Sequence, residues 1–284
     1  MSILEVKNLS KQYHDSSFAL KDVSFTIPYG TIVGFIGENG AGKSTTMGAI
    51  LGTLQKDDGS IHIFGEELTS DHTQIREDIG FVFDDMNLPK DLTISRLGSV
   101  FEEIYQRWDQ KKFEEYVTLF SLPDKKKLSS FSRGMSMKLA IAVALSHHAK
   151  LLILDEATGG LDPSGRDEVL SVLRDFVSKD ERGILLSSHI TSDIEKIADA
   201  LIFIKNGEII LEVSKSELKA MYAILECLPE ELDQIDERFI LAKRENKTGW
   251  DVLVTDESKI EQTIKRKPYS IDDMTLLLMR GDKQ

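Results

Sequence analysis

Apolar residues fall along this chain in two kinds of run, alternating and unbroken. Ile3 to Leu9 predicts a strand, and Phe18 to Pro28 alternates apolar with polar positions, with Leu20, Val23, Phe25 and Ile27 forming the apolar set. Such alternation predicts a strand with one face in the core. Thr31 to Ile36, Ser60 to Phe64 and Ile79 to Phe83 are further short strands. Leu151 to Leu154 and Gly183 to Ser188 are almost wholly apolar, the pattern of parallel strands buried on both faces. Between them lie helical patterns at Ser44 to Leu54, Thr93 to Trp108, Lys111 to Phe120, Ser136 to Ser146, and from Pro163 to about Ser178. Pro163 suits the first position of a helix. Leu201 to Lys205 and Glu208 to Val213 form a hairpin around Asn206-Gly207.

From about Ser214 the character changes. Lys215 to Leu225 predicts a helix, Phe239 to Lys243 and Trp250 to Thr255 predict strands around the polar turn at 244–249, and Ile271 to Arg280 predicts a last helix. The expectation is an α/β unit over residues 1–213, with a helical part at about 88–148, and a small α+β extension over 214–284. That extension is either a packing cover for a sheet edge or a dimer-contact or regulatory element. There is no internal repeat and no low-complexity tract.

Composition narrows the class. Of 284 residues, 41% are hydrophobic and 29% charged, as in a soluble globular protein. No apolar run reaches the roughly 18 residues of a membrane span. The start, Met1-Ser2-Ile3-Leu4-Glu5-Val6, lacks the basic and apolar regions of a secretory signal. The single cysteine, Cys227, makes no internal disulfide, which suits a reducing cytosol. Six histidines show no metal-ligand spacing, and the adjacent pair His147-His148 reads as surface or partly packed. A net charge of −13 disfavours sequence-independent nucleic-acid binding, which needs a basic face. It leaves a membrane-associated partner open.

The chemistry concentrates at Gly37-Glu38-Asn39-Gly40-Ala41-Gly42-Lys43-Ser44-Thr45, between a predicted strand and a predicted helix. The spacing fits a phosphate loop. Its glycines let successive N–H groups converge on one centre, and the helix that opens there adds its positive end. Lys43 would place a charge on the β/γ-phosphates, and Ser44 would offer a hydroxyl to Mg²⁺. Asp155 and Glu156 follow a buried strand, at the edge where open α/β sheets bind ligands. Asp155 is placed to hold Mg²⁺, and Glu156 to orient and deprotonate an attacking water. His189 closes another buried strand on the same edge and suits a γ-phosphate sensor. Tyr13 either packs in a turn or stacks on a nucleobase.

With Asp155 in place, the chain up to about residue 213 resembles the ATP-binding cassette (ABC) family. It looks closest to stand-alone bacterial ATPase subunits of peptide or antimicrobial export and resistance systems. The resemblance implies a P-loop NTPase fold with a RecA-like core, an antiparallel β subdomain and a helical subdomain. It makes Gly37 to Thr45 Walker A, Leu151 to Asp155 Walker B, Glu156 the catalytic base, Asp162 the D-loop residue, His189 the switch histidine and Tyr13 the adenine-stacking aromatic. Two positions depart from the family. Where it has Leu-Ser-Gly-Gly-Gln, this chain has Phe131-Ser132-Arg133-Gly134-Met135; Ser132 and Gly134 are kept, and Arg133 either contacts phosphate or points outward. Where it has the Q-loop glutamine, this chain has Asp84, which can approach Mg²⁺ but adds a negative charge.

The implied activity is ATP hydrolysis with Mg²⁺, powering a separate transmembrane permease subunit that is most readily an exporter. Two cassettes, identical or different, would sandwich two ATP molecules, and no nucleic acid is involved. The cassette would be cytoplasmic, held at the inner face of the membrane by its permease. The alternatives are a nucleotide-binding regulatory module with little hydrolysis, and a soluble ABC ATPase outside transport.

Overall fold

The computed structural model describes residues 1–13, 18–69, 73–83, 88–178 and 181–281. The chain opens with β1 (Ser2–Gln12), β2 (Ala19–Pro28) and β3 (Thr31–Ile36), followed by α1 (Lys43–Ile50). Then come β4 (Asp58–Ile63), β5 (Glu66–Glu67), α2 (Thr73–Glu77) and β6 (Ile79–Val82). A helical stretch holds α3 (Ile94–Ile104), α4 (Gln110–Leu119) and α5 (Arg133–Leu145). Alternation resumes with β7 (Leu151–Asp155), α6 (Pro163–Val177), β8 (Gly183–Ser187), α7 (Thr191–Ile197), β9 (Ala200–Lys205) and β10 (Glu208–Ser214). The last part is α8 (Lys215–Met221), β11 (Ala223–Cys227), α9 (Pro229–Leu232), β12 (Ile240–Glu245), β13 (Trp250–Val254), β14 (Lys265–Lys267) and α10 (Ile271–Arg280).

Local chemistry sets where the helices begin. Asp109, Ser132, Asp162, Ser214 and Ser270 each cap a helix by accepting a hydrogen bond from a backbone N–H three residues on. A short polar side chain there satisfies a donor that has no partner within the helix. Ser270 and Asp273 form a reciprocal capping box at the head of α10.

The described strands form three sheets. The central one runs β10-β9-β3-β8-β7-β6, with β9, β3, β8, β7 and β6 paired in parallel. Its inner strands β7 and β8 are buried at every position, as their unbroken apolar runs require. An antiparallel sheet, β2-β1-β4-β5, packs on one face through Leu4, Phe25, Phe35 and Met47. The other face carries the helical stretch, packed around Phe113, Leu139, Leu152 and Leu173. This is the α/β P-loop architecture expected, with its antiparallel and helical parts. No helix among the described residues is long and apolar enough to cross a membrane.

Residues 214–281 form a sheet of order β12-β13-β11-β14 with α10 beside it. One apolar cluster joins it to the earlier part: Ile36, Ile194, Leu201 and Phe203 share it with Leu253, Met274, Leu277 and Leu278. Three details differ from expectation. The helix expected over Lys215 to Leu225 stops at Met221, and Tyr222 turns the chain into β11, which is buried in the sheet. The helix after Phe131 starts at Arg133 rather than Ser136, because Ser132 caps it. His147 is fully buried, its ring stacked on Tyr105 at 4.1 Å, whereas His148 is exposed at φ 59°.

Candidate nucleotide-binding site

The site grows from the order of three strands. β8 lies between β3 and β7, and its last residue, Ser187, is in register with Phe35 on one side and Asp155 on the other. The loop after β3 and the carboxylates after β7 therefore emerge side by side. Close packing explains two of the loop's glycines. A Cβ on Gly37 would lie 2.5 Å from the Ile204 carbonyl oxygen. Gly42, at φ 117°, would place one 2.6 Å from Leu20 Cδ2.

Gly42 also occupies the N-cap of α1 and offers no side-chain cap, so the first N–H groups of the helix stay directed into the loop. Lys43 is buried, and its Nζ donates to the carbonyl oxygens of Gly37 (2.7 Å) and Glu38 (3.2 Å). Burial lowers its pKa, against which the nearby charges of Glu156 and Asp155 act. Ser44 Oγ donates to Asp155 Oδ2 at 2.6 Å, and Ser187 Oγ donates to Asp155 Oδ1 at 2.5 Å. Both oxygens of Asp155 are thus oriented by hydroxyls.

Glu156 sits at φ 55°, a conformation uncommon outside glycine. Its N–H is shared between the backbone oxygen and the hydroxyl of Ser187, both at 3.2 Å. That turn aims the carboxylate at His189. The His189 backbone N–H donates to Glu156 Oε2 at 3.1 Å, and Nδ1 lies 2.5 Å from the same oxygen. A cavity of about 410 Å³ opens between these groups, lined by Gly40, Gly42, Lys43, Ser44, Asp155 and Glu156, with Phe18, Asn39 and Thr45 around them. Convergent N–H groups, one ammonium and two carboxylates suit a polyphosphate accompanied by a hard cation.

Residues 20–159 match the ABC transporter family. The chain is 33% identical over 220 residues to the bacitracin transport ATP-binding protein BcrA of Bacillus licheniformis, covering 77% of this chain and 72% of BcrA. It is 37% identical over 217 residues to the lantibiotic transport ATP-binding protein SrtF of Streptococcus pyogenes, covering 74% of this chain and 90% of SrtF. This chain belongs to the ABC transporter ATP-binding family. Among solved structures it is similar to the dimeric ATP-binding cassette MJ0796 in a post-hydrolysis state bound to ADP and Pi, with a TM-score of 0.67 at 25% identity over 74% of this chain and 98% of that one. The cassette is an ATP-binding member of a family of ATPases.

The other motif residues of the cassette fall into two groups. Ala41 is buried, and its carbonyl accepts from Gly207 N–H at 2.9 Å, fixing the loop to the hairpin between β9 and β10. Tyr13 is not in the cavity wall; its ring stands 6.3 Å from that of Phe18, which is. Ser132 Oγ caps α5 at Met135 N–H, and Met135 packs partly against the core. Arg133 lies along Gly160: a Cβ there would meet its Cδ at 2.9 Å. One on Gly134 would meet the Gly160 carbonyl oxygen at 3.0 Å. Asp162 caps α6 at Gly165 N–H. Arg133 and Gly134 therefore pack on the turn at Gly160 that leads into Asp162, away from the cavity of their own chain. Asp84 lies outside the described residues.

Two site residues escaped sequence reasoning. Pattern alone places Phe18 at the start of a strand and Ser187 inside the strand Gly183 to Ser188. The available signal for Ser187 was a Ser-Ser pair closing an apolar strand immediately before His189.

Proposed function

We propose that this cassette hydrolyses ATP with Mg²⁺ to drive a separate transmembrane permease, and that the cargo is a peptide or an amphipathic toxic compound leaving the cell. The observation that carries the hydrolytic reading is the Glu156–His189 contact, set against the Lys43 loop and Asp155 on one sheet edge. The cargo reading is supported by the bacitracin and lantibiotic transport names of its relatives. In this reading the permease carries the membrane contacts and holds the cassette at the inner face. Exposed Phe81 on the edge strand β6, with Val100 and Ile104 on α3, offers apolar surface to such a partner.

In the mechanism, the loop N–H groups and Lys43 bind the phosphates. The Ser44 hydroxyl and the Asp155 carboxylate are hard oxygen donors already 2.6 Å apart, which fits Mg²⁺, an ion that keeps most of its sites for water and phosphate. When bound, the ion would neutralise charge on the phosphate oxygens. Glu156 orients the attacking water and accepts its proton, while His189 holds the Glu156 carboxylate in place. The water oxygen takes the γ-phosphoryl group, leaving ADP and phosphate. Positioning and charge neutralisation supply the acceleration. Phe18 and Tyr13 form an aromatic shelf for the base at the cavity mouth. Ser132 and Gly134 of a second subunit complete the site from across a dimer.

The test is ATPase turnover of the wild type and of Glu156→Gln, measured with and without the co-expressed permease. The variant should keep ATP binding and lose about 10²-fold or more in turnover, the scale of a general base. Turnover at the wild-type rate would remove Glu156 from its assigned role.

A further inference from the structure

We propose that Arg280, in the last helix of the C-terminal extension, is a positioning residue for the phosphate loop and acts through Glu38. This rests on the reading of the loop as an ATP site. Beside the phosphate cavity lies a second cleft of about 500 Å³, with Gly37, Glu38 and Asn39 on one side and Leu276, Met279 and Arg280 on the other. Arg280 Nε lies 3.4 Å from Glu38 Oε1, joining positions 242 residues apart.

The arm that carries the guanidinium is fixed. Met274, Leu277 and Leu278 of α10 share an apolar cluster with Ile36, the last residue before the loop. Lys205 Nζ donates to the Leu278 carbonyl at 3.1 Å, and Thr191 Oγ1 donates to Asp272 Oδ1 at 3.3 Å. Glu38 is the partner on the loop. Its carbonyl accepts from Lys43 Nζ and from Ala41 N–H, so its backbone belongs to the cradle itself.

Its carboxylate is a liability there, since a negative side chain on a loop that holds a polyanion repels it. Glu38 lines the second cleft and not the phosphate cavity. The Arg280 pair therefore offsets the charge and keeps the carboxylate on the α10 side. Asp272 and His189 also face this cleft, so Arg280 is its one arginine or lysine among the described residues. The extension thereby contributes to nucleotide affinity without touching nucleotide.

The test is a double-mutant cycle on Mg-ATP binding, by calorimetry, with wild type, Arg280→Ala, Glu38→Gln and the double variant. Exposed ion pairs are worth a fraction of a kcal/mol, so Arg280→Ala should weaken ATP binding about threefold. The loss should vanish in the Glu38→Gln background, shrink in high salt, and be restored by Arg280→Lys. For Arg280→Ala, turnover at saturating ATP and the melting temperature should stay at the wild-type value. Equal losses in both backgrounds, or a fall in melting temperature that tracks the affinity loss, would overturn the proposal. Failure of the wild type to bind ATP would instead count against the ATP reading.

Discussion

Acid should loosen this protein at one identifiable point, His147. The imidazole is fully buried, stacked on Tyr105 with 8° between the planes. Its Nδ1–H donates to the Glu77 carbonyl at 3.1 Å, while Nε2 and the nearby Glu77 Oε2 have no hydrogen-bond partner among the described residues. Burial drives its pKa down from 6.5 to about 4; the Glu77 bond opposes that shift, Arg107 adds to it and Asp78 opposes it. The folded value lies below the unfolded one, so the unfolded chain binds the extra proton. Stability from this group is complete above pH 6.5 and is lost as pH falls toward 4. At about 1.4 kcal/mol per pH unit, the loss is about 2 kcal/mol by pH 5 and about 3 kcal/mol by pH 4. That is a large share of the roughly 5–15 kcal/mol that hold a domain together. Urea unfolding from pH 7.5 to 5 measures it, comparing the wild type with His147→Gln. The wild type should lose about 2 kcal/mol more than the variant over that range. Parallel pH profiles, or an NMR titration of the His147 ring centred near 6.5, would refute the account.

Two further substitutions probe the site. Gly37→Ala puts a methyl group 2.5 Å from the Ile204 carbonyl, so the loop must shift, and ATP affinity measured by calorimetry should fall at least about tenfold. Ser187→Ala frees Asp155 Oδ1 and removes one acceptor from the Glu156 N–H; the Mg²⁺ concentration needed for half-maximal ATPase activity should rise about 10- to 100-fold, as for other groups that orient metal ligands.

The features legible in the sequence are those that local pattern encodes. The glycine loop, the all-apolar strands β7 and β8, and the carboxylates at the end of β7 each announce themselves within a few residues. Lateral strand order does not, and Ser187 matters only because β8 falls between β3 and β7. β11 is hidden in the sequence for a related reason. Leu218, Tyr222 and Leu225 continue a helical spacing, but the backbone at Tyr222 is extended and Ala223 to Leu225 are buried by β13 and β14. Tertiary pairing there outweighs a local period. The burial of His147 was likewise set by a distant ring, that of Tyr105. The Arg280–Glu38 contact spans almost the whole chain and has no local trace.

The backbone of Glu156 bears on how this protein can be improved. A residue with a side chain at φ 55° costs about 1 kcal/mol relative to glycine. A search for thermostable variants that scores folding alone would therefore favour glycine at position 156. The proposed base would be the first thing such a search discards.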